Sequence, residues 1–325
     1  MVQGGVGVQI AVIVGTVLGL WLGARTLVDA VVKLAHQFGV SELTIGLTIV
    51  AIGTSTPEIV VSIDAALAGL GDIAVGNVVG SNIYNLAFIL GVVSLVQVVP
   101  VERSLLHRDG VALILATLSG FAVLFDQLVT SVEGVVLIGL FVAYTAYMIR
   151  DERAQPTDTE YPESQVSRAV STSESFGARD LLLLVGGLAL VLVSGHFMVE
   201  AASSLARDAG ISDWVIGGTI VAAGTSTPEF AVSLVAIRRG HIGMSVGNVV
   251  GSNIFNILGI LGIASVVQPL SVGFAAIESA VWLTVVTVLM VGALWTGRKL
   301  TRPEGLVFAL SEMARWAAGI LRLFG

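Results

Sequence analysis

An all-α integral membrane protein of ten transmembrane helices, arranged as two five-helix repeats of inverted topology, is the fold class this sequence predicts. Three observations carry the prediction. Of the 325 residues, 55% are hydrophobic and only 12% are charged, about half the charged share of a soluble domain. Apolar runs of roughly 20 residues, long enough to span a bilayer, recur along the whole chain, and the mean hydropathy is +0.94. One polar word, GTSTPE, interrupts two of those runs, at 53–58 and again at 224–229. The alternating segments of about ten residues that mark a membrane β-barrel do not occur.

The remaining composition narrows the chemistry. The chain has no cysteine, which excludes disulfides and thiolate metal sites. Its four histidines form no close pair, so a zinc or haem site is not expected. The net charge of -7 sits mostly in loops and points to no nucleic acid. No cofactor is expected, no obligate protein partner is evident, and the bilayer is the environment.

Apolar segments bounded by charges or turns fall near 8–34, 42–69, 72–98, 104–126, 129–150, 180–206, 212–238, 242–268, 272–297 and 303–324. Five lie on each side of a polar stretch at 151–179, which is rich in Ser, Thr, Glu and Arg and reads as a flexible linker. With the N-terminus outside, the inner loops hold twelve Lys and Arg residues, from Lys33 to Arg302, and the outer side holds only Arg207, Arg315 and Arg322. That positive-inside bias predicts both termini extracellular and the linker cytoplasmic, in a multi-pass protein of the cell membrane.

The two halves are copies. An offset of 171 residues aligns GLTIVAIGTSTPE (46–58) with GGTIVAAGTSTPE (217–229) at 11 of 13 positions, and GNVVGSNIYNLAFILG (76–91) with GNVVGSNIFNILGILG (247–262) at 12 of 16. The first repeat is read as 1–150, with its motif region at 46–91, and the second as 180–325, with its motif region at 217–262. Asp29 pairs with Glu200 at the same offset, so the first span is expected to belong to the fold and not to a cleaved signal. An odd number of spans per half makes the second copy enter the membrane from the opposite side. That is the construction of secondary transporters, whose site lies near the midplane where the repeats meet.

The motifs carry the chemistry. Glu58 and Glu229 lie near the middle of their spans, where a bare carboxylate costs at least ~2.5–3.5 kcal/mol. No Lys or Arg stands at matching depth in the motif helices, so protons or metal ions are the expected partners. Pro57 and Pro228 each lack an N–H and clash with the carbonyl four residues back. Carbonyls around Ala51, Gly53 and Thr54 are therefore expected to leave the helix ladder and face a polar cavity. Thr54, Ser55 and Glu58 share one helix face, as do Thr225, Ser226 and Glu229. Ser81 stacks with Asn85 and Ser252 with Asn256, four residues apart. Such an oxygen-only site suits hard cations such as Na+ and Ca2+. Asn77, Asn82, Asn248 and Asn253 read as interhelical hydrogen-bonding groups, and the paired glycines 76/80 and 247/251 as close-approach points. Arg25, Asp29 and Lys33 form a stripe every four residues, read as ion pairs along the helix. The serines have no base at plausible spacing, since His196 is the single mid-span histidine, and the chain is not read as an enzyme.

GTSTPE together with GNVVGSNIYN, present in both halves, resembles the two repeats of the calcium/cation antiporter superfamily, most closely its prokaryotic sodium/calcium exchanger branch. The resemblance implies alternating-access exchange of Na+ for Ca2+. It implies Glu58 and Glu229 as central ligands, with Thr54, Ser55, Thr225 and Ser226 giving carbonyl and hydroxyl oxygens. It implies carbonyls of Ala51 and Ala222 at flanking sodium sites, and Ser81 with Asn85 and Ser252 with Asn256 completing the cage. The first and sixth helices form the sliding gate in that family. One position departs: family members typically carry Asp where this chain has Asn256. The site then holds two carboxylates, neutralised equally by one Ca2+, two Na+ or two H+. An H+/Ca2+ antiporter on the same scaffold therefore stands beside the Na+/Ca2+ reading, and a passive cation channel is the reading from a different class.

Overall fold

The first apolar run forms a single helix, α1 (Val6–Phe38), 33 residues long, or about 50 Å. Gly39 ends it in the left-handed conformation, φ 62°, and its N–H caps the Ala35 and His36 carbonyls. The computed structural model describes residues 5–101, 103, 105–154, 176–210, 220 and 222–324. After α1 come α2 (Glu42–Thr54) and α3 (Thr56–Leu67), one apolar run bent by 48° at Ser55. Then follow α4 (Gly71–Val96), α5 (Leu105–Leu124) and α6 (Ser131–Ala154). The second half holds α7 (Ala178–Asp208), α8 (Ala222–Thr225), α9 (Thr227–Arg238), α10 (Ile242–Val267), α11 (Phe274–Gly297) and α12 (Arg302–Phe324).

Seven helices among the described residues are long and apolar enough to cross a membrane, and the bent α2–α3 pair makes an eighth. α8 and α9 repeat the break of α2 and α3, but 211–219 and 221 lie outside the described residues. Most of the 151–179 linker, 155–175, lies outside them too. α12 forms as a helix over the tenth expected run, although Arg302, Glu304, Glu312 and Arg315 make it less apolar than the others.

Contacts recur at the repeat offset. Among the described residues, the six with positive φ pair at 171 residues: Gly39 with Gly210, Gly69 with Gly240, and Gln127 with Arg298. Two short strand pairs follow the same exchange. β1 (Val99–Pro100) pairs antiparallel with β4 (Lys299–Leu300), and β2 (Leu128–Val129) with β3 (Leu270–Ser271). Val99 faces Leu300 in one ribbon, and their counterparts Leu270 and Val129 face each other in the other.

The apolar interior divides in two. The larger cluster joins α4, α5, α6, α10 and α11 through residues such as Leu86, Leu90, Leu113, Ile260 and Met290. The smaller joins α1 to α2, α7 and α9 through Val28, Val31, Val50, Val191 and Val232. α4 and α10 are the most enclosed spans. α1 and α7 form the most extensive helix pair, and they meet at glycine: a β-carbon on Gly187 would sit 2.8 Å from the Leu27 nitrogen. Close backbone approach of this kind carries helix association in lipid, where apolar burial alone gives little.

Polar ties close both ends of the α1–α7 pair. Gln9 donates to Ser204 and Asp208 at one end, each at 2.8 Å, and Lys33 pairs with Asp180 at the other, at 3.0 Å. The Arg25–Asp29–Lys33 stripe is thus corrected. The described ion pairs of Asp29 and Lys33 cross to Arg239 and Asp180 and do not run along α1. The residues reach farther as interhelical ties than as neighbours one turn apart.

Candidate cation site

Each GTSTPE word is a helix break. Pro57 is the second residue of α3 and Pro228 the second of α9, the first-turn position where a missing N–H removes no ladder bond. Ser55 (φ -78°, ψ 12°) and Ser226 (φ -89°, ψ 10°) form the joints. The Gly53 carbonyl, four residues before Pro57, accepts the Thr56 hydroxyl at 2.7 Å. The Ala51 carbonyl departs from expectation: it keeps the Ser55 N–H at 3.1 Å and so stays in the ladder, with the Ser252 hydroxyl at 3.5 Å. The carbonyl four residues before Pro57 is that of Gly53, not Ala51. Ala222 opens α8.

Glu58 and Glu229 are both fully buried, and close enough to interact electrostatically. Their hydrogen bonds are exchanged between the motifs. The Ser55 hydroxyl donates to Glu229 Oε1 at 2.8 Å, and the Ser226 hydroxyl donates to Glu58 Oε1 at 2.8 Å. Ser55 also reaches the Ser252 oxygen at 3.1 Å. The Thr54 hydroxyl donates to the Val50 carbonyl and to Asn248 Oδ1, both at 3.1 Å. Thr225 is buried on the matching turn.

The other wall comes from α4 and α10. Asn77 donates to the Ser62 hydroxyl at 2.9 Å and to the Glu58 carbonyl at 3.2 Å. Asn248 repeats this with Ser233 at 2.9 Å and the Glu229 carbonyl at 3.3 Å. Asn82 donates to the carbonyl of Asn253, its own counterpart, at 3.0 Å, so the two meet where the repeats exchange. Asn256 donates to Asn82 Oδ1 at 2.9 Å. These amides hold the broken helices together, as their interhelical reading anticipates. Gly251 fits the close-approach reading, since a β-carbon there would lie 2.5 Å from the Leu47 carbonyl oxygen; Gly76 and Gly80 have no such neighbour among the described residues.

What remains unpaired defines the chemistry. Among the described residues, Glu58 Oε2, Glu229 Oε2, Ser81 Oγ, Asn85 Oδ1 and Asn256 Oδ1 are buried without a hydrogen-bond partner. Each such atom costs about 1–3 kcal/mol, more when charged. The Asn85 amide nitrogen is unpaired beside them; the five oxygens are the ligand type that hard cations take. Ser81 and Ser252 differ, because Ser252 is engaged by Ser55 while Ser81 is not. The described residues hold no group of three or more acidic, histidine or cysteine side chains that could bind a metal, so the site has two carboxylates and neutral oxygens.

Ser62 and Ser233 were not singled out in the sequence. They stand 171 apart, as the site residues do, and that repetition is the signal that finds them. Two π-helical turns also escape the sequence, at Tyr84–Ile89 and Asn256–Leu261. They begin at or one residue before the amides Asn85 and Asn256, and such turns gather at functional sites. A cavity of about 320 Å3 opens beside both breaks, bounded by Thr56, Pro57, His196, Thr225 and Pro228.

Known proteins resemble this chain over nearly all of its length. The family described as sodium/calcium exchanger protein matches residues 8–150 and 180–311. A putative antiporter, CaxA, from Alkalimonas amylolytica is 38% identical over 310 residues, covering 93% of this chain and 95% of that one. The sodium/calcium exchanger MaX1 of Methanosarcina acetivorans is 31% identical over 325 residues, covering 90% and 93%. A solved structure of the sodium–calcium exchanger NCX_Mj superposes with a TM-score of 0.81 at 30% identity, covering 95% of this chain and 97% of that one.

Proposed function

The chain belongs to the sodium/calcium exchanger family of the calcium/cation antiporter superfamily, and on that premise we propose that it exchanges Na+ for Ca2+ across the cell membrane by alternating access. The observation that carries this reading is the exchanged Ser–Glu bonding, which turns one oxygen of each buried carboxylate toward a serine and leaves the other unpartnered. The ligands proposed are Glu58 and Glu229, the hydroxyls or carbonyls of Thr54, Ser55, Thr225 and Ser226, the carbonyls of Ala51 and Ala222, and the side chains of Ser81, Asn85, Ser252 and Asn256. Ca2+ binding would neutralise two carboxylates in one step, and Na+ would do so in two. Either loads the site with enough charge for it to cross a low-dielectric barrier, which the empty, doubly charged site should not do.

The membrane layout is part of the proposal: ten spans, repeats at 1–150 and 180–325, both termini outside and 151–179 cytoplasmic. The strand ribbons support it. β1 and β4 lie on one face only if an even number of crossings separates them, as do β2 and β3, and ten alternating spans give six and four. Gln9 with Asp208, and Lys33 with Asp180, likewise join ends that this layout puts on the same side.

Proton coupling is the second reading. It is favoured by Asn256, which supplies a neutral oxygen where the family typically has an acid, so that two protons would discharge the whole site. For either reading, Glu58→Gln and Glu229→Gln should each abolish calcium exchange in reconstituted vesicles, at least a hundredfold below the parent, with the protein still folded. Full exchange in either variant would contradict the assignment.

A further inference from the structure

One charged cavity is lined by none of the proposed cation ligands. It measures about 260 Å3, lies between α1 and α9, and is lined by Trp21, Arg25, Leu234, Val235, Arg238 and Arg239. Three guanidinium groups meet there with one described acid, because Asp29 pairs with Arg239. Arg239 also donates to the Arg25 carbonyl at 3.3 Å, which fixes the two at one level. Arg25 and Arg238 have no acidic partner among the described residues, and both are exposed. The Arg25 guanidinium lies over the Trp21 ring, 5.7 Å from its centre.

Depth follows from helix length. α9 starts at the Ser226 break beside Glu229 and runs 12 residues to Arg238, a rise of about 18 Å. From a midplane site that reaches the edge of a hydrocarbon core about 30 Å thick. Arg238, Arg239 and Arg25 therefore stand at headgroup level. Trp21, one turn back along α1, lies just inside it with Leu234, as aromatic residues do at membrane interfaces. Two uncompensated guanidinium groups above an apolar floor fit a phosphate that carries acyl chains: the guanidinium fork matches phosphate oxygens, and the floor takes the first methylenes.

We propose that this cavity binds the headgroup phosphate of an anionic phospholipid, such as phosphatidylglycerol, clamped by Arg25 and Arg238 with an acyl chain along Trp21 and Leu234. The lipid bridges α1, a member of the long helix pair, to α9, which carries Glu229. It thus ties the membrane's anionic content to the relative position of those two elements. On the membrane layout proposed above the cavity faces the inner leaflet; the binding itself does not rest on that layout.

The test reads binding and not transport, so it stands apart from the exchange activity. The full chain is placed in nanodiscs with brominated phosphatidylglycerol or brominated phosphatidylcholine, and quenching of tryptophan fluorescence is measured. Phosphatidylglycerol should quench a component preferentially, and Trp21→Phe should remove that component. Arg25→Gln or Arg238→Gln should each lower the preference about fivefold, the effect of one basic residue at a charged surface. Arg103→Gln, an exposed arginine outside the cavity, should keep it. Equal quenching by both lipids, or a preference that survives in the Arg25→Gln/Arg238→Gln double variant, would overturn the site. Displacement of the phosphatidylglycerol signal by inorganic phosphate would assign the cavity to a soluble anion and overturn the lipid.

Discussion

Ser55 and Ser226 each serve the glutamate of the other motif, so each carboxylate is held in part from the opposite half. A hydrogen bond to a charged group contributes about 1.5–3 kcal/mol. Ser55→Ala and Ser226→Ala should therefore each raise the calcium KM by about tenfold or more while leaving the fold intact. A double-mutant cycle separates this pairing from mere proximity. Melting temperatures should show coupling between Ser55→Ala and Glu229→Gln, and much less between Ser55→Ala and Glu58→Gln; the opposite ranking would contradict the exchange. Glu58, Glu229 and the Ser and Asn residues around them stand out in the sequence as polar groups repeated at one offset inside apolar runs. The exchange itself does not. An alignment at a fixed offset pairs like with like, Ser55 with Ser226, and is silent on which residue touches which. A lone serine in a membrane helix usually bonds to its own preceding turn, so Ser62 and Ser233 carry no strong mark; here they accept from Asn77 and Asn248.

Helix breaks were legible where a residue enforces them. Pro57 announces the 48° bend of α2 against α3, whereas nothing in composition marks the π-helical turns at Tyr84–Ile89 and Asn256–Leu261. Those turns lie in α4 and α10, the two most enclosed spans, and a linear pattern does not carry them. The long-range ties of Asp29 and Lys33 were hidden for the same reason. The pairing of α1 with α7 makes two predictions. Gly187→Val should lower the melting temperature in detergent, because a β-carbon there meets the Leu27 backbone; an unchanged melting point would mean the helices part more easily than their contact indicates. The chain has no native cysteine, so Lys33→Cys with Asp180→Cys can be joined by a short thiol cross-linker. If α1 and α7 move as one body over the rest, exchange should persist after cross-linking. Arrest would show that they must slide past each other.

Across the whole molecule, the two ribbons, the paired left-handed residues and the Asn82–Asn253 contact all repeat at one offset. That offset and the distribution of arginines were readable in advance, since duplication and membrane insertion both leave their mark on sequence. The division of the interior into two apolar clusters was not, because runs that are apolar on every side do not reveal which neighbour each face meets. Most of the α1 and α7 contacts fall in the smaller cluster and most of those of α4 and α10 in the larger, with α2, α9 and α10 contributing to both. The proposed choice of counter-ion rests on the two carboxylates and on Asn256. The decisive measurement is radiolabelled calcium uptake into proteoliposomes, with a sodium gradient alone in one set and a pH gradient alone in a sodium-free set. Uptake with the sodium gradient, abolished by Glu58→Gln, is the predicted result. Uptake with the pH gradient and none with sodium would contradict sodium coupling and assign the counter-ion to protons.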